Sequence, residues 1–273
     1  MQQHLIAIDL DGTTLNNQSK LSPLTRQCLR KLDEMGHLIA IVTGRPYRTS
    51  IGLYQELGIT SPMVNFNGAY CCFPQRPAWT AAYHYDLDRS IALELLKRQD
   101  SLNVNLICAE GIDRLYSSSM NLPDSPYYPK EETQLSKLTR SSLTKNPTAL
   151  TLFSSEDQQT FIKQQIENKY PNQVAVRTWG GEFPVLEVVR AGINKAVGVK
   201  AIADFYHIPR ESIYAFGDED NDREMIEYAG HGVAMANAIA SIKNSADEIT
   251  DFTNDQDGLA KHLIKAFDLK ILS

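Results

Sequence analysis

Two short apolar segments separated by a helix-like segment constrain the fold of this chain more than any other feature. Residues 5–8 and residues 38–41 both read LIAI, which has the length and composition of a buried strand. Between them, Ser22 and Pro23 give a helix cap followed by proline at the first helical position, and apolar residues then recur at helical spacing as far as Gly36. This order predicts parallel strands joined by a crossover helix.

The following residues extend the same unit. The segment RPYRTSIGLYQEL (45–57) predicts a second helix, and PMVNF (62–66) predicts a third strand. The first 70 residues therefore read as an open, doubly wound parallel sheet.

The middle of the chain has a different pattern. From about Tyr83 to Val189, helix-like RSIALELLKRQD alternates with strand-like VNLICA, TALTLF and VAVRTW, and a long polar stretch lies between Tyr116 and Pro147. After Gly192 the first pattern returns as a helix, the strand IYAFG, the helix DREMIEYA and the strand GVAM. We predict an α/β core formed by residues 1–83 and 190–273, with a second α/β domain, residues 84–189, inserted into it.

Charge and cysteine content exclude several classes of partner. The 273-residue chain has a formal net charge of -6, whereas proteins that bind nucleic acid or anionic membranes usually carry clustered Lys and Arg. We expect no nucleic acid and no membrane as partners. The four cysteines have no metal-ligand spacing, which fits a cytoplasmic protein in a reducing compartment. The sequence leaves the oligomeric state open.

Polar and acidic residues follow the predicted strands repeatedly. They are Asp9 and Asp11 after the first strand, Thr43-Gly44-Arg45 after the second, Asn67-Gly68 after the third, and the segment GDEDND, 217–222, after a later one. Ligands of open parallel sheets bind outside the carboxyl ends of the strands, so we expect these residues to converge on one cleft.

Several carboxylates in one cleft repel one another and favour a bound cation. Oxygen ligands select Mg²⁺ over zinc or copper, and Mg²⁺ usually completes its shell with waters and phosphate oxygens. The sequence therefore predicts a phosphorylated substrate. Its charge would be offset by the metal, by Lys195, and by backbone N–H groups of the aspartate loop and of the helix that starts near Arg45.

The combination of DLDGTT (9–14), TGR (43–45), Lys195 in INKA and GDEDND (217–222) resembles the four motifs of the haloacid dehalogenase superfamily. GVAMANA (232–238) and NDQDGLAKHL (254–263) make the chain similar to the Cof-type branch of sugar phosphatases. The resemblance implies a Rossmann-like core, with an α/β cap inserted between the second and third motifs.

The resemblance also implies a reaction and its catalytic residues. A Mg²⁺-dependent phosphatase of this type hydrolyses small phosphorylated metabolites, here sugar phosphates, through an aspartyl-phosphate intermediate. Asp9 would attack phosphorus, and Asp11 would protonate the leaving group and later deprotonate water. Thr43 and Lys195 complete the predicted catalytic set.

The binding residues come from the same resemblance. It implies a metal held by Asp9, the backbone carbonyl of Asp11, Asp218 and, at one remove, Asp222. The phosphate or substrate contacts that we expect are Leu10 through its amide, Thr43, Gly44, Arg45, Asn67, Lys195 and Asn221.

Three alternatives remain open. A signalling receiver also forms an aspartyl-phosphate on a parallel sheet, but it lacks a long inserted domain. A non-catalytic protein that binds a phosphorylated metabolite would share the cleft but needs none of the residues for turnover. A phosphohexomutase would use the same two aspartates to move phosphate between sugar positions.

Overall fold

The computed structural model describes residues 2–124, 128, 134–178 and 184–271, which form fourteen strands and eight α-helices. The strands, β1 to β14 in chain order, are Leu5–Ile8, Leu38–Ile41, Met63–Asn65, Tyr70–Cys72, Tyr83–His84, Leu106–Glu110, Leu115–Ser117, Leu135–Lys137, Ala149–Phe153, Val174–Thr178, Val185–Arg190, Ile213–Gly217, His231–Ala234 and Glu248–Ile249. The helices, α1 to α8, are Pro23–Glu34, Tyr47–Leu57, Arg89–Lys97, Glu156–Lys169, Lys195–Tyr206, Arg223–Tyr228, Ala240–Ser245 and Gly258–Ala266.

The chain divides into two units. Unit 1 contains Met1–Arg45, Ser50–Tyr83 and Asn194–Ser273, and unit 2 contains Pro46–Thr49 and His84–Ile193. The inserted domain predicted from sequence ends at residue 189, whereas unit 2 extends to Ile193 and includes the first turn of α2.

Unit 1 is built on a parallel sheet with strand order β14-β13-β12-β1-β2. β1 lies between β12 and β2, with Leu5 opposite Ile213 on one side and Leu38 on the other. All four residues of β1 are fully buried. A parallel sheet covered on both faces requires such a continuous apolar strand, which explains the LIAI sequence. From β1 the chain continues to β2 on one side, and it later returns to β12 on the other side. The carboxyl ends of β1 and β12 therefore flank the topological switch point of the sheet.

Local capping sets the start of α1, as the sequence predicts. The Ser22 side chain accepts a hydrogen bond from the Thr25 N–H at 3.0 Å, and Pro23 occupies the first helical position. Cys28, Leu29 and Leu32 on its buried face are fully covered.

The third predicted strand differs from the expectation. β3 forms at the expected place, but it pairs antiparallel with β4 in a separate three-stranded sheet, β3-β4-β5. One parallel bridge, between Val42 and Val64, links it to the end of β2. The connection after β3 is too short for a parallel crossover, so the next strand pairs back on it.

Unit 2 contains a six-stranded sheet with strand order β10-β11-β9-β6-β7-β8. Its pairs are antiparallel except for β7 and β8. Apolar residues of one sheet face and of α3 and α4 form a buried cluster, which includes Ile107, Leu150, Ile162 and Leu186. The polar stretch between Tyr116 and Pro147 contains β8 and overlaps β7, and it lies partly outside the described residues, as does Trp179 of VAVRTW.

Among the helices of the described residues, none combines the length and the apolar composition that a membrane-spanning segment requires.

Candidate active site

The loop that follows β1 brings the first two aspartates to the carboxyl edge of the parallel sheet. Asp9 has extended backbone, and its N–H donates to the Phe216 carbonyl at 3.1 Å, so the β1–β12 ladder continues to this residue. Gly12 has a φ of 72°, and a Cβ there would overlap the carboxylate of Asp218. The glycine is required both by the left-handed backbone and by the approach of Asp218.

Three buried carboxylates meet at the ends of β1 and β12. One ligand oxygen from each of Asp9, Asp218 and Asp222 lies within 4.8 Å of the other two. Burial raises the pKa of Asp9 well above its ordinary value, with Lys195 opposing the shift and Asp222 adding to it. Burial, reinforced by the charge of Asp222, raises the pKa of Asp218 to about 7. These groups resist ionisation unless positive charge is supplied nearby.

Lys195 supplies part of that charge. It is fully buried at the start of α5, and its Nζ lies 2.7 Å from Asp9 Oδ1 and 2.6 Å from Asp222 Oδ1. Burial alone would lower the pKa of Lys195, but the two carboxylates raise it above the ordinary value. The lysine is therefore an ammonium that bridges two aspartates.

Asp222 organises the loop after β12. Its Oδ2 accepts hydrogen bonds from the N–H groups of Asp218 at 2.9 Å and Glu219 at 3.1 Å, while its Oδ1 accepts from Lys195. Both carboxylate oxygens of Asp222 are thus engaged by protein donors. This arrangement suits a residue that holds the site in shape at one remove from a metal.

The donor set fits a hard divalent cation. All three side chains offer oxygen atoms, the preferred ligands of Mg²⁺. When all three carboxyl groups are ionised, the Lys195 ammonium leaves two negative charges in a buried site, which one divalent ion would balance. Mg²⁺ would be held by Asp9 and Asp218, with Asp222 behind them. The carbonyl of Asp11 stays a predicted ligand.

Asp11 is held by Arg45. The Arg45 Nε donates to Asp11 Oδ2 at 2.7 Å, and its Nη2 donates to Oδ1 of the same carboxylate. The Arg45 side chain is 9% exposed and that of Asp11 is 38% exposed. The sequence predicts a phosphate or substrate contact for Arg45, and the structure adds a direct role in orienting the second aspartate.

Hydrogen bonds connect the loops that follow β2, β3 and β12. The Thr43 hydroxyl accepts from the Arg45 N–H at 3.1 Å, the Asn67 N–H donates to the Thr43 carbonyl at 3.1 Å, and Asn221 Nδ2 donates to Asn67 Oδ1 at 3.0 Å. A Cβ on Gly44 would lie 3.0 Å from Asn67 Oδ1. Residues from three separate loops are therefore brought together, and their contact with phosphate stays a prediction, as does that of the Leu10 amide.

The sequence reasoning assigned no individual role to three residues that shape this site. Thr13 Oγ1 donates to Asp218 Oδ1 at 2.9 Å, the Thr14 hydroxyl donates to the Asp9 carbonyl, and Asn237 Nδ2 donates to the Gly12 carbonyl at 2.7 Å. The two threonines directly follow the aspartate pair, and that adjacency is a signal which could have identified them. Asn237 is 225 residues away from Gly12 and reaches it only through the fold.

The fold and the site define a hydrolase of phosphoric monoesters. The chain belongs to the haloacid dehalogenase-like hydrolase family, whose model matches residues 6–263. The resemblance to the Cof-type branch, predicted from the motifs, is confirmed. The predicted fold class, a parallel α/β core with an additional α/β unit, is confirmed as well.

Individual relatives match over nearly the whole chain. The 5-amino-6-(5-phospho-D-ribitylamino)uracil phosphatase YitU of Bacillus subtilis (strain 168) is 38% identical, with 97% of this chain and 98% of that protein covered. A second phosphatase of the same name, YcsE of Bacillus subtilis (strain 168), is 27% identical over 94% of this chain and 93% of its own length. The crystal structure of a haloacid dehalogenase-like hydrolase from Bacteroides thetaiotaomicron has a TM-score of 0.84 and 25% identity, and the match covers 97% of this chain and 100% of that one.

Proposed function

We propose that this protein is a Mg²⁺-dependent phosphatase that hydrolyses small phosphorylated metabolites through an aspartyl-phosphate on Asp9. The observation that supports it most directly is the buried group of Asp9, Asp218 and Asp222 bridged by the Lys195 ammonium. Such a centre combines a carboxylate nucleophile with the positive charge that phosphoryl transfer requires.

The chain's own residues account for both halves of the reaction. The Asp9 carboxylate attacks phosphorus, and the bond between phosphorus and the leaving-group oxygen breaks as Asp11 donates a proton to that oxygen. Asp11 then removes a proton from water, which attacks the aspartyl-phosphate and releases inorganic phosphate. Lys195 keeps Asp9 aligned and offsets phosphate charge. Bound Mg²⁺ would supply further positive charge to the phosphoryl oxygens.

The favoured substrate is 5-amino-6-(5-phospho-D-ribitylamino)uracil. The relative that is 38% identical over 97% of this chain carries that activity in its name, and so does a second relative at 27%. Sugar phosphates, the class expected from the motifs, are the second candidate, because a phosphorylated ribityl chain and a phosphorylated sugar present similar hydroxyl groups.

We further propose that unit 2 is a cap that selects the leaving group. Every candidate substrate presents a phosphate group to the same metal and the same catalytic aspartates. Discrimination between leaving groups must therefore come from other residues.

The four cysteines are free and buried, and this agrees with the proposed cytoplasmic location.

Phosphate release across a panel of phosphomonoesters tests the proposal. The panel contains 5-amino-6-(5-phospho-D-ribitylamino)uracil, several sugar phosphates and p-nitrophenyl phosphate, each measured with Mg²⁺ and after chelation. We expect Mg²⁺-dependent release, fastest with the ribitylaminouracil phosphate, and one added phosphoryl group on acid-quenched protein.

Three results would contradict parts of the proposal. Release without a divalent cation would remove the metal from it. Absence of release from every ester would favour a binding protein or a receiver. Formation of a sugar-phosphate isomer after addition of a bisphosphorylated sugar, in place of free phosphate, would identify a mutase.

A further inference from the structure

Two asparagines from late in the chain hold the loop that follows β1. We call this loop, residues 9–15, the catalytic loop. Asn237 lies in the segment GVAMANA, and its Nδ2 donates to the Gly12 carbonyl at 2.7 Å. Asn254 begins the segment NDQDGLAKHL, and its Nδ2 donates to the Leu15 carbonyl at 2.9 Å. We call these two asparagines the asparagine clamp.

The two members of the clamp are joined to each other. The Asn254 N–H donates to Asn237 Oδ1 at 2.9 Å, so both ends of the Asn237 amide are bound by backbone groups. Asn254 is buried, and its Nδ2 also donates to Asn17 Oδ1 at 3.0 Å. An amide with its donor and its acceptor both engaged has one favoured orientation. The clamp is therefore a continuous chain of hydrogen bonds from the end of the catalytic loop back to its centre.

The segment that carries Asn237 is fixed to the loop after β12. The Met235 N–H donates to the Gly217 carbonyl at 3.0 Å, and the Ile239 N–H donates to the Asp218 carbonyl at 3.0 Å. Asn237 lies midway between these two donors in the sequence. It therefore connects the loop that bears Asp218 to the catalytic loop.

The centre of the catalytic loop is where such a contact has most effect. Gly12 has left-handed backbone, with φ of 72° and ψ of -2°, and glycine has more conformational freedom than any other residue. The residue before it is Asp11, and the residue after it is Thr13, whose Oγ1 donates to Asp218 Oδ1 at 2.9 Å. A hydrogen bond that fixes the Gly12 carbonyl restricts the placement of both neighbours.

We propose that the asparagine clamp positions the catalytic loop for phosphoryl transfer, so that Asp9 and Asp11 keep their placement relative to Asp218. The inference rests on the proposed phosphatase function. Both asparagines act through the backbone of the loop, which makes them positioning residues. Their loss should slow the reaction of every substrate alike and weaken the binding of Mg²⁺, because the clamp holds the loops that carry the aspartates.

Asn237→Ala, Asn254→Ala and the double variant test the clamp. Asn244→Ala is the matched control, because Asn244 is an exposed asparagine on α7 in the same unit. For each protein, kcat and KM are measured with 5-amino-6-(5-phospho-D-ribitylamino)uracil and with p-nitrophenyl phosphate. Asn237 is exposed, so Asn237→Ala should fold and decides the test if Asn254→Ala does not.

We expect Asn237→Ala to lower kcat by about twofold to tenfold on both substrates, the effect of one lost neutral hydrogen bond, with little change in KM. The loss in the double variant should be smaller than the product of the two single losses, because both side chains belong to one network. Asn244→Ala should keep the wild-type kcat. A wild-type kcat in folded Asn237→Ala, or single losses that multiply fully, overturns the clamp.

Melting curves with added Mg²⁺ and no substrate separate this inference from the proposed function. The Mg²⁺ concentration that gives half of the increase in Tm should be about twofold to tenfold higher for Asn237→Ala than for the wild type. If the wild type hydrolyses no ester, the proposed function fails, yet this difference still supports the clamp. Equal Mg²⁺ concentrations for these two proteins, or no increase in the Tm of the wild type, overturns it.

Discussion

Two nitrogens of the Arg45 guanidinium donate hydrogen bonds to the carboxylate of Asp11, Nε to Oδ2 at 2.7 Å and Nη2 to Oδ1. The two residues come from loops that follow adjacent strands, β1 and β2. A planar guanidinium fixes the orientation of a carboxylate as well as its distance. Asp11, the proposed proton donor and acceptor, is therefore held in one orientation in this structure.

Arg45→Lys should slow hydrolysis by about tenfold to 100-fold, because Asp11 would lose part of its effect as a well-placed acid and base. A lysine keeps the charge but cannot hold both oxygens. The loss should be larger for a sugar phosphate than for p-nitrophenyl phosphate, because p-nitrophenolate leaves without needing a proton. The measurement is kcat for both substrates, with Arg26→Lys, in an exposed pair with Glu56, as control. Equal losses on both substrates would contradict an action through Asp11.

Asp9→Asn should reduce phosphate release to below about a hundredth of the wild-type rate, because an amide cannot serve as the nucleophile. The fold should persist, since the two side chains have nearly the same volume and Asp222 still pairs with Lys195. Phosphate release and circular dichroism check this. Asp251→Asn, whose side chain is 73% exposed in the wild type, should keep full activity. Residual activity above about a hundredth would refute a covalent intermediate on Asp9.

Lys195→Ala should lower kcat/KM by about tenfold to 150-fold, the effect of a lost charge-assisted hydrogen bond of about 1.5–3 kcal/mol. The variant should also be less stable by about 3–5 kcal/mol, because two buried carboxylates lose their common cation. Lys200→Ala on the same helix is the control, since its pair with Asp204 is about 60% exposed. Thermal melts and phosphate release measure both effects. An unchanged rate would place Lys195 outside the catalytic centre.

Gly12→Ala and Gly36→Ala separate backbone strain from damage to the site. Both glycines have positive φ, 72° and 91°, so each alanine should cost about 1–2 kcal/mol of stability. A Cβ on residue 12 would overlap the Asp218 carboxylate, whereas nothing lies within 4 Å of a Cβ on residue 36. Only Gly12→Ala should lose activity, by about 100-fold, as expected for a displaced catalytic group. Similar kcat/KM values for the two variants would show that the Asp218 position is not critical.

Without metal, Asp218→Asn should melt at a higher temperature than the wild type at about pH 8, and the difference should shrink towards about pH 5.5. In the folded protein the pKa of Asp218 is raised from 3.8 to about 7. Between these two pH values the folded protein keeps a proton on Asp218 that the unfolded chain has lost. Its contribution to stability is therefore present below about pH 4 and is lost as the pH rises through about 7. Removing the charge of Asp218 also lowers the pKa of Asp9, which moves the difference in the same direction.

Added Mg²⁺ should reverse the order at about pH 8, because it binds the ionised Asp218 carboxylate, for which asparagine is a weaker ligand. Melting curves with a chelator and with Mg²⁺, at both pH values, provide the measurement. A chelated wild type that gains stability relative to Asp218→Asn as the pH rises would contradict the sign of the shift.

The sequence predicted most of unit 1 because its signals are local. LIAI at 5–8 is long and apolar enough to specify a buried strand, and Ser22-Pro23 specifies the start of α1 without help from the rest of the chain. The placement of polar residues after strands also follows from the sequence, since parallel strands bring their carboxyl ends to one edge. The short strands β7 and β8, three residues each, carry too little pattern to be recognised inside a polar stretch.

The amino-acid sequence specifies the chemical groups of the site and the strands that carry them. The contacts between those groups depend on the tertiary structure. The strand order places β12 beside β1, and this brings Lys195 to Asp9 across 186 residues of chain. The paired hydrogen bonds from Arg45 to Asp11 and the ion pair between Arg48 and Glu110 likewise join side chains from separate elements. Local patterns fix periodicity and capping over a few residues, whereas contacts between distant residues depend on the packing of the whole fold.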